Sequence, residues 1–204
     1  MSLPLVAILR GVTPAEIIDI AEAIIAAGIT RIEIPLNSPQ PLESVEKLVR
    51  HCAEYHGERI LVGAGTVLTP EQVRDVHAVG GRLVVSPNCN VEVIRESRRL
   101  DMVSMPGIVT PTEAFAALEA GASGLKLFPA TQVGIANMKA MQTVLPAGTE
   151  LYAVGGIGTD NFAEWRAAGV HGAGLGTAIY TPGLSAEQVG ERARALVAAW
   201  QAAD

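Results

Sequence analysis

Short apolar runs recur along the chain, and a segment with helical spacing of apolar residues follows each run. The runs are rich in Val, Ile, Leu and Ala, as expected of strands buried on both faces of a parallel sheet. We predict eight strands: Pro4–Leu9, Arg31–Leu36, Ile60–Ala64, Leu83–Ser86, Met102–Met105, Gly124–Phe128, Leu151–Val154 and Gly172–Leu175. Eight strand–helix units predict an α/β protein with the (β/α)8 TIM-barrel fold, and an open doubly wound sheet is the alternative. No linker or composition shift divides the chain, so we expect a single domain over residues 1–204.

The intervening segments carry apolar residues three and four positions apart, which indicates amphipathic helices. Their stripes comprise Ile17, Ile18, Ala21, Ile24 and Ile25, then Val45, Leu48, Val49 and Cys52, and later Phe115, Ala116, Leu118 and Glu119. A capping residue before a proline predicts a helix start at Thr13-Pro14, Ser38-Pro39, Thr69-Pro70 and Thr110-Pro111. Gly28, Gly80 and Gly121 are expected just past helix ends.

The composition of the chain and its charge pattern exclude several classes of protein. The 204 residues are 49% hydrophobic and 18% charged, which excludes a disordered chain. The net charge of −6 comes without a basic stripe, so we expect no nucleic-acid partner. No apolar run approaches the roughly 20 residues of a membrane span, and no signal peptide is evident, so a cytoplasmic location is expected. Cys52 and Cys89 have no metal-binding or redox spacing, and we predict no disulfide.

Lys126 is the most informative polar residue. In a barrel of this kind the chemistry lies at the carboxyl ends of the strands. The chain has three lysines, and Lys126 alone falls inside a strand, between Leu125 and Leu127. If the two leucines pack outward against helices, Lys126 points into the barrel, where burial lowers the pKa of an amine. A neutral amine is the nucleophile that forms a Schiff base with a carbonyl. The alternative is an interior lysine paired with a carboxylate for structure alone.

Glu33 follows the same logic. Ile32 and Ile34 are expected to face the helices, so Glu33 faces the interior. A glutamate near an interior lysine can act as general acid and base. The alternative is a buried Glu33–Lys126 salt bridge without chemistry.

Glycine and cationic residues at other strand ends suggest anion binding. Gly155 and Gly156 follow the seventh strand, and Gly176 and Thr177 follow the eighth. Phosphate commonly binds at these two loops in barrels, through backbone N–H groups. Tight turns without a ligand are the alternative. Two further candidates for anion binding are Arg10, which could instead be a surface arginine, and Thr66, which could instead be a helix cap.

No metal site or cofactor is expected. The four histidines are His51, His56, His77 and His171, and no pair has metal-ligand spacing at a strand end. The acidic residues at strand ends do not cluster, and no Ser-His-Asp or Cys-His arrangement is visible.

The chain resembles the 2-keto-3-deoxy-6-phosphogluconate/4-hydroxy-2-oxoglutarate aldolases. The matching stretches run in order over nearly the whole chain: Ala7–Gly11, Ile32–Pro39, Gly63–Leu68, Leu125–Pro129 and Ala153–Ile157. The resemblance implies a trimeric (β/α)8 barrel that needs no metal. It implies Lys126 as the Schiff-base lysine, Glu33 as general acid/base, and phosphate binding by the Gly155-Gly156 and Gly176-Thr177 loops.

One position distinguishes branches of the family. Members that act on the gluconate substrate carry an arginine four residues after the glutamate, whereas this chain has Asn37. The resemblance is therefore to the galactonate branch, and Arg10 and Thr66 are expected to hold more of the substrate's carboxylate. Thr177 stands where serine is expected and keeps the hydroxyl. Pro87 and Phe128, at two further strand ends, are also expected to bind substrate.

These observations predict a class I aldolase, a carbon–carbon lyase. We expect it to cleave 2-dehydro-3-deoxy-6-phosphogalactonate to pyruvate and glyceraldehyde 3-phosphate. The same chemistry on the gluconate epimer or on 4-hydroxy-2-oxoglutarate is an alternative. More distant alternatives are a phosphosugar isomerase or epimerase and a non-catalytic sugar-phosphate sensor. The expected partners are a phosphorylated sugar acid and two further copies of the chain.

Overall fold

The computed structural model describes residues 3–203, which form a ring of parallel strands surrounded by helices. The strands are β1 Leu5–Ile8, β2 Arg31–Pro35, β3 Leu61–Gly65, β4 Leu83–Val85, β5 Val103–Met105, β6 Gly107–Ile108, β7 Leu125–Leu127, β8 Leu151–Val154 and β9 Gly172–Leu175. The helices are α1 Ile17–Ala26, α2 Pro41–Tyr55, α3 Pro70–Ala78, α4 Val91–Arg99, α5 Pro111–Ala120, α6 Ala130–Gln142, α7 Phe162–Ala167 and α8 Ala186–Ala202, with a 3₁₀ turn at Gly57–Arg59. The predicted α/β barrel is confirmed.

The fifth strand of the barrel consists of two segments: the predicted strand Met102–Met105 is observed as β5, and β6 continues it beyond the predicted bounds. The sheet order is β5-β4-β3-β2-β1-β9-β8-β7-β6, so β5 and β6 are its two edges, and they are consecutive in the chain. Pro106 lies between them and has no N–H to donate to a ladder. Its carbonyl oxygen accepts the Lys126 N–H at 2.9 Å, while Met105 O accepts the Ser86 N–H at 3.2 Å. The strand thus bonds to both neighbours and closes the barrel.

Apolar side chains form two layers, one on each side of the sheet. Ile32, Ile34, Leu125 and Leu127 belong to the outer layer, which packs against the helices. The inner layer comprises Val6, Ile8, Leu83, Val85, Met105, Tyr152 and Val154. The alternation of side chains along β2 and β7 therefore agrees with the sequence prediction.

The amino end of the barrel is closed by Tyr152. A Cβ atom at Gly172 would lie 2.5 Å from the Tyr152 ring, so only glycine leaves room for it. The Tyr152 hydroxyl accepts a hydrogen bond from Arg31 Nη1 at 2.5 Å and donates one to Glu150 Oε2 at 2.8 Å. This network fills the amino end.

Two of the four predicted helix starts are confirmed. Thr69 and Thr110 are N-caps of α3 and α5, each with a complete capping box. Ser38 is not a cap, because α2 begins at Pro41 and Ser38 Oγ instead accepts the Gly11 N–H at 2.9 Å. The Thr13 prediction is also wrong. Thr13 O accepts the N–H groups of Glu16 and Ile17 in a turn that precedes α1.

The helix ends agree with the sequence prediction. Gly121 is the C-cap of α5, with φ 97°, and Gly28 and Gly80 lie just past α1 and α3 with φ 99° and 88°. Such positive φ values favour glycine.

The predicted apolar stripe of α5 is wrong. Its buried face consists of Ala114, Ala117 and Ala120, and Phe115 is 45% exposed. These three alanines are part of the apolar core, whereas the larger phenylalanine lies on the outer surface.

Two sequence expectations concern the cysteines and the possibility of a membrane-spanning helix. Cys52, which is buried, and Cys89, which is half-buried, are both free thiols. Among the helices of residues 3–203, none has the length and apolar character needed to span a membrane.

Candidate active site

A cavity of about 480 Å³ opens at the carboxyl ends of β1, β7, β8 and β9. It collects candidate residues that lie far apart in the sequence. Those in its wall are Arg10, Lys126, Phe128, Gly155, Gly156, Gly176 and Thr177. The barrel topology accounts for this convergence, because parallel strands present their carboxyl ends at one face.

Lys126 lies in the middle of β7, with its side chain inside the barrel and only 6% exposed. Burial lowers the pKa of Lys126, and the charge of Arg10 lowers it further, while Glu33 opposes the shift. The Nζ atom is 4.5 Å from the centroid of the Phe128 ring. The side chain is thus a desolvated amine at the base of an open cavity, which is the environment of a nucleophilic lysine.

Glu33 in β2 lines a small pocket beneath the main cavity together with Lys126. It is 2% exposed, and its Oε2 atom has no hydrogen-bond partner within residues 3–203. Burial raises the pKa of Glu33 to about 7, against the opposing charges of Lys126 and Arg10. An unbonded carboxyl oxygen is not the geometry of a structural salt bridge, and its pKa suits proton transfer near neutral pH.

Gly65 makes room for that carboxyl group. It lies in β3 beside β2, and a Cβ atom on it would stand 1.9 Å from Glu33 Oε2. Glycine is required at position 65 because any larger side chain would collide with the Glu33 carboxyl group. Sequence analysis did not identify Gly65 as a positioning residue, because nothing in the sequence shows that a glycine in one strand faces a glutamate in the next.

The loops after β8 and β9 form the other wall of the cavity. Gly155 and Gly156 have φ values of 97° and 75°, which favour glycine. Gly176 O accepts the N–H groups of Ile179 and Tyr180, both at 3.0 Å, so a helical turn begins there. The first N–H groups of such a turn have no partner within it and are available to an anion.

Arg10 and Asn37 are coupled at the mouth of the cavity. Arg10 Nη1 donates a hydrogen bond to Asn37 Oδ1 at 2.5 Å, and both side chains are exposed. The loops after β1 and β2 are also joined by the bond between Gly11 and Ser38. Asn37 therefore orients the guanidinium of Arg10.

Two candidate residues lie at strand ends but outside the wall of this cavity. Thr66 follows β3 and has φ 57°, a left-handed conformation that is uncommon for a residue other than glycine. Pro87 follows β4 and is half-buried. Both stand at the carboxyl face, on the side of the barrel opposite the glycine loops.

Tyr180 is a cavity residue that sequence analysis missed. It lies in the wall of the cavity, and its hydroxyl donates to Glu16 Oε1 at 2.6 Å. Glu16 also accepts the Thr13 N–H, at 3.2 Å, so the bond ties the loop after β9 to the turn before α1. No local pattern marks a contact between residues so distant in the chain.

Comparison with known proteins identifies the family of the chain. The sequence matches the family described as KDPG and KHG aldolase over residues 1–193. The chain belongs to this family. It is therefore an aldolase, a carbon–carbon lyase.

Named relatives match this aldolase over almost its whole length. A protein of Rhizobium meliloti named probable 2-dehydro-3-deoxy-6-phosphogalactonate aldolase is 50% identical, with 99% of this chain and 93% of the relative covered. The 2-dehydro-3-deoxy-6-phosphogalactonate aldolase of Escherichia coli is 46% identical, with 98% and 96% covered.

Solved structures share the fold. A structure described as native KDPGal superposes with a TM-score of 0.94 at 45% identity, covering 100% of this aldolase and 97% of that chain. The KDPG aldolase of Legionella pneumophila, with pyruvate captured as a covalent carbinolamine intermediate, has a TM-score of 0.84 at 28% identity. Coverage is 96% of this aldolase and 94% of that chain.

Proposed function

We propose that this aldolase cleaves 2-dehydro-3-deoxy-6-phosphogalactonate to pyruvate and glyceraldehyde 3-phosphate through a Schiff base on Lys126. The observation that carries the proposal is the buried Lys126 amine, with its lowered pKa, in one pocket with the Glu33 carboxyl group, whose Oε2 atom has no hydrogen-bond partner among the described residues. The names of the two relatives support the substrate. Asn37, in place of an arginine, supports the galactonate epimer over the gluconate epimer and over 4-hydroxy-2-oxoglutarate.

The first step joins enzyme and substrate. The Lys126 Nζ lone pair attacks the C2 carbonyl carbon, and the carbonyl oxygen takes a proton to give a carbinolamine. Loss of that hydroxyl group as water then gives the iminium ion. Glu33, with a pKa of about 7, supplies the proton in one direction and accepts it in the other. The carbinolamine captured in the Legionella pneumophila structure is the same kind of intermediate in a relative.

The second step breaks the C3–C4 bond. A base removes the proton of the C4 hydroxyl group, the bond electrons move into the iminium, and glyceraldehyde 3-phosphate leaves as the aldehyde. The remaining enamine takes a proton at C3, and water hydrolyses the resulting imine to pyruvate and free Lys126. Glu33 lines the inner pocket with Lys126, so it is the group we assign to these proton transfers.

The two ends of the substrate fit the two sides of the cavity. We assign the phosphate to the glycine loops at Gly155-Gly156 and Gly176-Thr177, where backbone N–H groups and the threonine hydroxyl are available. We assign the carboxylate to Arg10, which Asn37 orients, and to Thr66. Phe128 and Pro87 supply apolar walls. Binding energy from both ends orients the C3–C4 bond for cleavage.

Borohydride reduction in the presence of pyruvate tests the covalent step. The expected result is one stable adduct, mapped by peptide mass to Lys126. Lys126→Arg keeps the charge but loses the nucleophile, and its turnover is expected to fall by roughly 10³-fold or more. The exposed Lys139→Arg variant is the matched control and keeps both adduct and turnover.

An adduct absent from every lysine of the folded protein would overturn the mechanism and favour an isomerase or a sugar-phosphate sensor. A Lys126 adduct combined with a higher kcat/KM for the gluconate epimer would overturn only the substrate assignment. The two results are therefore separable.

We also propose that the aldolase is a cytoplasmic homotrimer. Leu68, Val109 and Phe115 are exposed apolar residues on neighbouring segments near the carboxyl end of the barrel. The Asn90 side chain bonds Leu68 O at 3.0 Å, and Cys89 Sγ approaches Glu113 O at 3.4 Å, which connects these segments. An exposed apolar patch of this kind favours contact with another copy of the chain. The two free thiols support a reducing compartment.

A further inference from the structure

Helices α1 and α2 bring two histidines and a glutamate together on the outside of the barrel. His51 Nε2 and His56 Nε2 each lie 2.6 Å from Glu22 Oε1. One ligand atom from each of the three residues lies within 4.8 Å of the other two. None of the three residues lines the cavity that contains Lys126.

The end of α2 explains why the sequence spacing conceals this cluster. Two residues five positions apart on a continuous α-helix point about 140° away from each other. His51 lies in the last turns of α2, but His56 is its C-cap, with φ −124° and ψ −11°. Because the backbone leaves the helix there, the His56 ring comes to the same side as His51. Glu22 completes the cluster from α1.

We propose that Glu22, His51 and His56 form a binding site for a divalent transition metal ion such as Zn²⁺. Two imidazole nitrogens and one carboxylate oxygen are a ligand set that Zn²⁺ accepts, and a fourth position is left for water. Ligand atoms of a tetrahedral zinc ion stand roughly 3.3 Å apart, given metal–ligand bonds of about 2.0–2.2 Å. The 2.6 Å contacts must therefore lengthen by less than about 1 Å, which small side-chain rotations provide.

The surroundings support a preformed site. Glu22 Oε1 contacts the Nε2 atom of both histidines, so one carboxylate oxygen already faces both imidazole rings. The centroid of the Tyr55 ring lies 4.7 Å from that of the His51 ring, so the two rings are in contact. The Glu22 side chain is 40% exposed, which leaves a path for the ion.

Cys52 is the neighbouring residue that could compete as a ligand. Its thiol is buried. The group of ligand atoms that lie within 4.8 Å of one another is made by Glu22, His51 and His56, and Cys52 is not part of it. An ion held by the other three residues would join α1 to the end of α2. This role is independent of the aldol chemistry.

Titration calorimetry with Zn²⁺ on the full chain, in the presence of a phosphine reductant, tests the proposal. The expected result is one Zn²⁺ bound per chain. His51→Gln and His56→Gln each keep an N–H group that can donate to Glu22 but lose a metal ligand. Each is expected to weaken binding by on the order of 100-fold.

Two matched controls identify the ligands. His77→Gln changes a histidine on α3, and Cys89→Ser removes the more exposed thiol. Both are expected to bind Zn²⁺ like the wild type. Zn²⁺ should also raise the midpoint of thermal unfolding of the wild type and of both controls, but not that of the two site variants. Aldolase turnover is expected to be the same in all of them.

Absence of Zn²⁺ binding by the wild type would overturn the proposal and leave a hydrogen-bonded cluster. Equal binding by the wild type and both histidine variants would overturn it as well. If a histidine variant fails to fold, Glu22→Gln keeps both histidines and an oxygen acceptor for them, and it supplies the same comparison. Neither outcome bears on the Lys126 adduct, so this proposal and the aldolase mechanism fail separately.

Discussion

At the scale of single residues, the candidate active site depends on burial of charge. Lys126 and Glu33 sit inside the barrel, where desolvation moves both pKa values towards neutrality. The space they need comes from an absent side chain, because Gly65 has no Cβ to collide with the Glu33 carboxyl group. The reactivity of Lys126 and Glu33 thus depends on residues of the strands around them.

The raised pKa of Glu33 predicts a pH dependence of stability. Between about pH 4.5 and 7 the carboxyl group is ionised in the unfolded chain but protonated in the folded protein. The unfolded state therefore binds fewer protons, and the free energy of unfolding falls as pH rises through this window. Glu33→Gln cannot ionise, so its stability relative to the wild type is expected to increase by on the order of 2 kcal/mol from pH 5 to 8.

Urea unfolding of both proteins across that pH range measures the difference. Glu119→Gln, at an exposed position on α5, is the control and should follow the wild-type pH profile. A constant difference between wild type and Glu33→Gln would show that Glu33 ionises as readily in the folded state as in the unfolded one.

At the scale of secondary-structure elements, capping decides where helices begin. The Glu113 carboxylate accepts the N–H groups of Val109 and Thr110, each at 2.8 Å, and Thr110 Oγ1 accepts the Glu113 N–H at 3.4 Å. These bonds satisfy donors that have no partner within α5. Ser38 also has a hydroxyl group and also precedes a proline, as Thr110 does. Its hydroxyl oxygen, however, accepts the Gly11 N–H of another loop instead of capping a helix.

Loss of the Thr110 cap is expected to destabilise the protein. Thr110→Ala should lower the free energy of unfolding by about 1 kcal/mol, because helix donors lose a partner. Thr112→Ala, at an exposed position in the first turn of the same helix, is the matched control and should change it by less than about 0.5 kcal/mol. Chemical denaturation measures both, and equal effects would contradict a capping role for Thr110.

At the scale of the whole molecule, closure of the barrel brings the candidate site together. β5 and β6 lie at the two edges of the sheet on either side of Pro106, and β1 pairs with β9, so strands from the first and last parts of the chain share one carboxyl face. Phe115 is exposed on the outer surface, because α5 packs through alanines instead. We interpret this surface as the contact between subunits.

If the protein is a trimer through this surface, a charge placed in the contact should lower the mass of the particle in solution. The wild type is expected to have three times the mass of one chain by light scattering, and Phe115→Asp is expected to dissociate it, since an ionised carboxylate would be buried at the contact. Val144→Asp places the same charge at another exposed apolar residue, after α6, and should leave the trimer intact. A monomeric wild type, or equal dissociation by both variants, would contradict this interface.

Much of the fold and of the site could be predicted from the sequence by itself. Apolar runs alternating with helical patterns identified the barrel, and strand alternation placed Lys126 and Glu33 inside it. Both signals are local periodicities, which depend only on the order of residues within one segment and not on contacts with other segments. The resemblance to the aldolase family added the roles of these residues.

The tertiary structure decided everything that depends on contacts across the chain. It split the fifth strand at Pro106, moved two helix starts, left Phe115 exposed and joined Arg10 to Asn37. It also gathered Glu22, His51 and His56, although no sequence spacing marks them as a group. The physical reason is that side-chain partners are chosen by packing between elements, and packing is fixed only when the barrel closes.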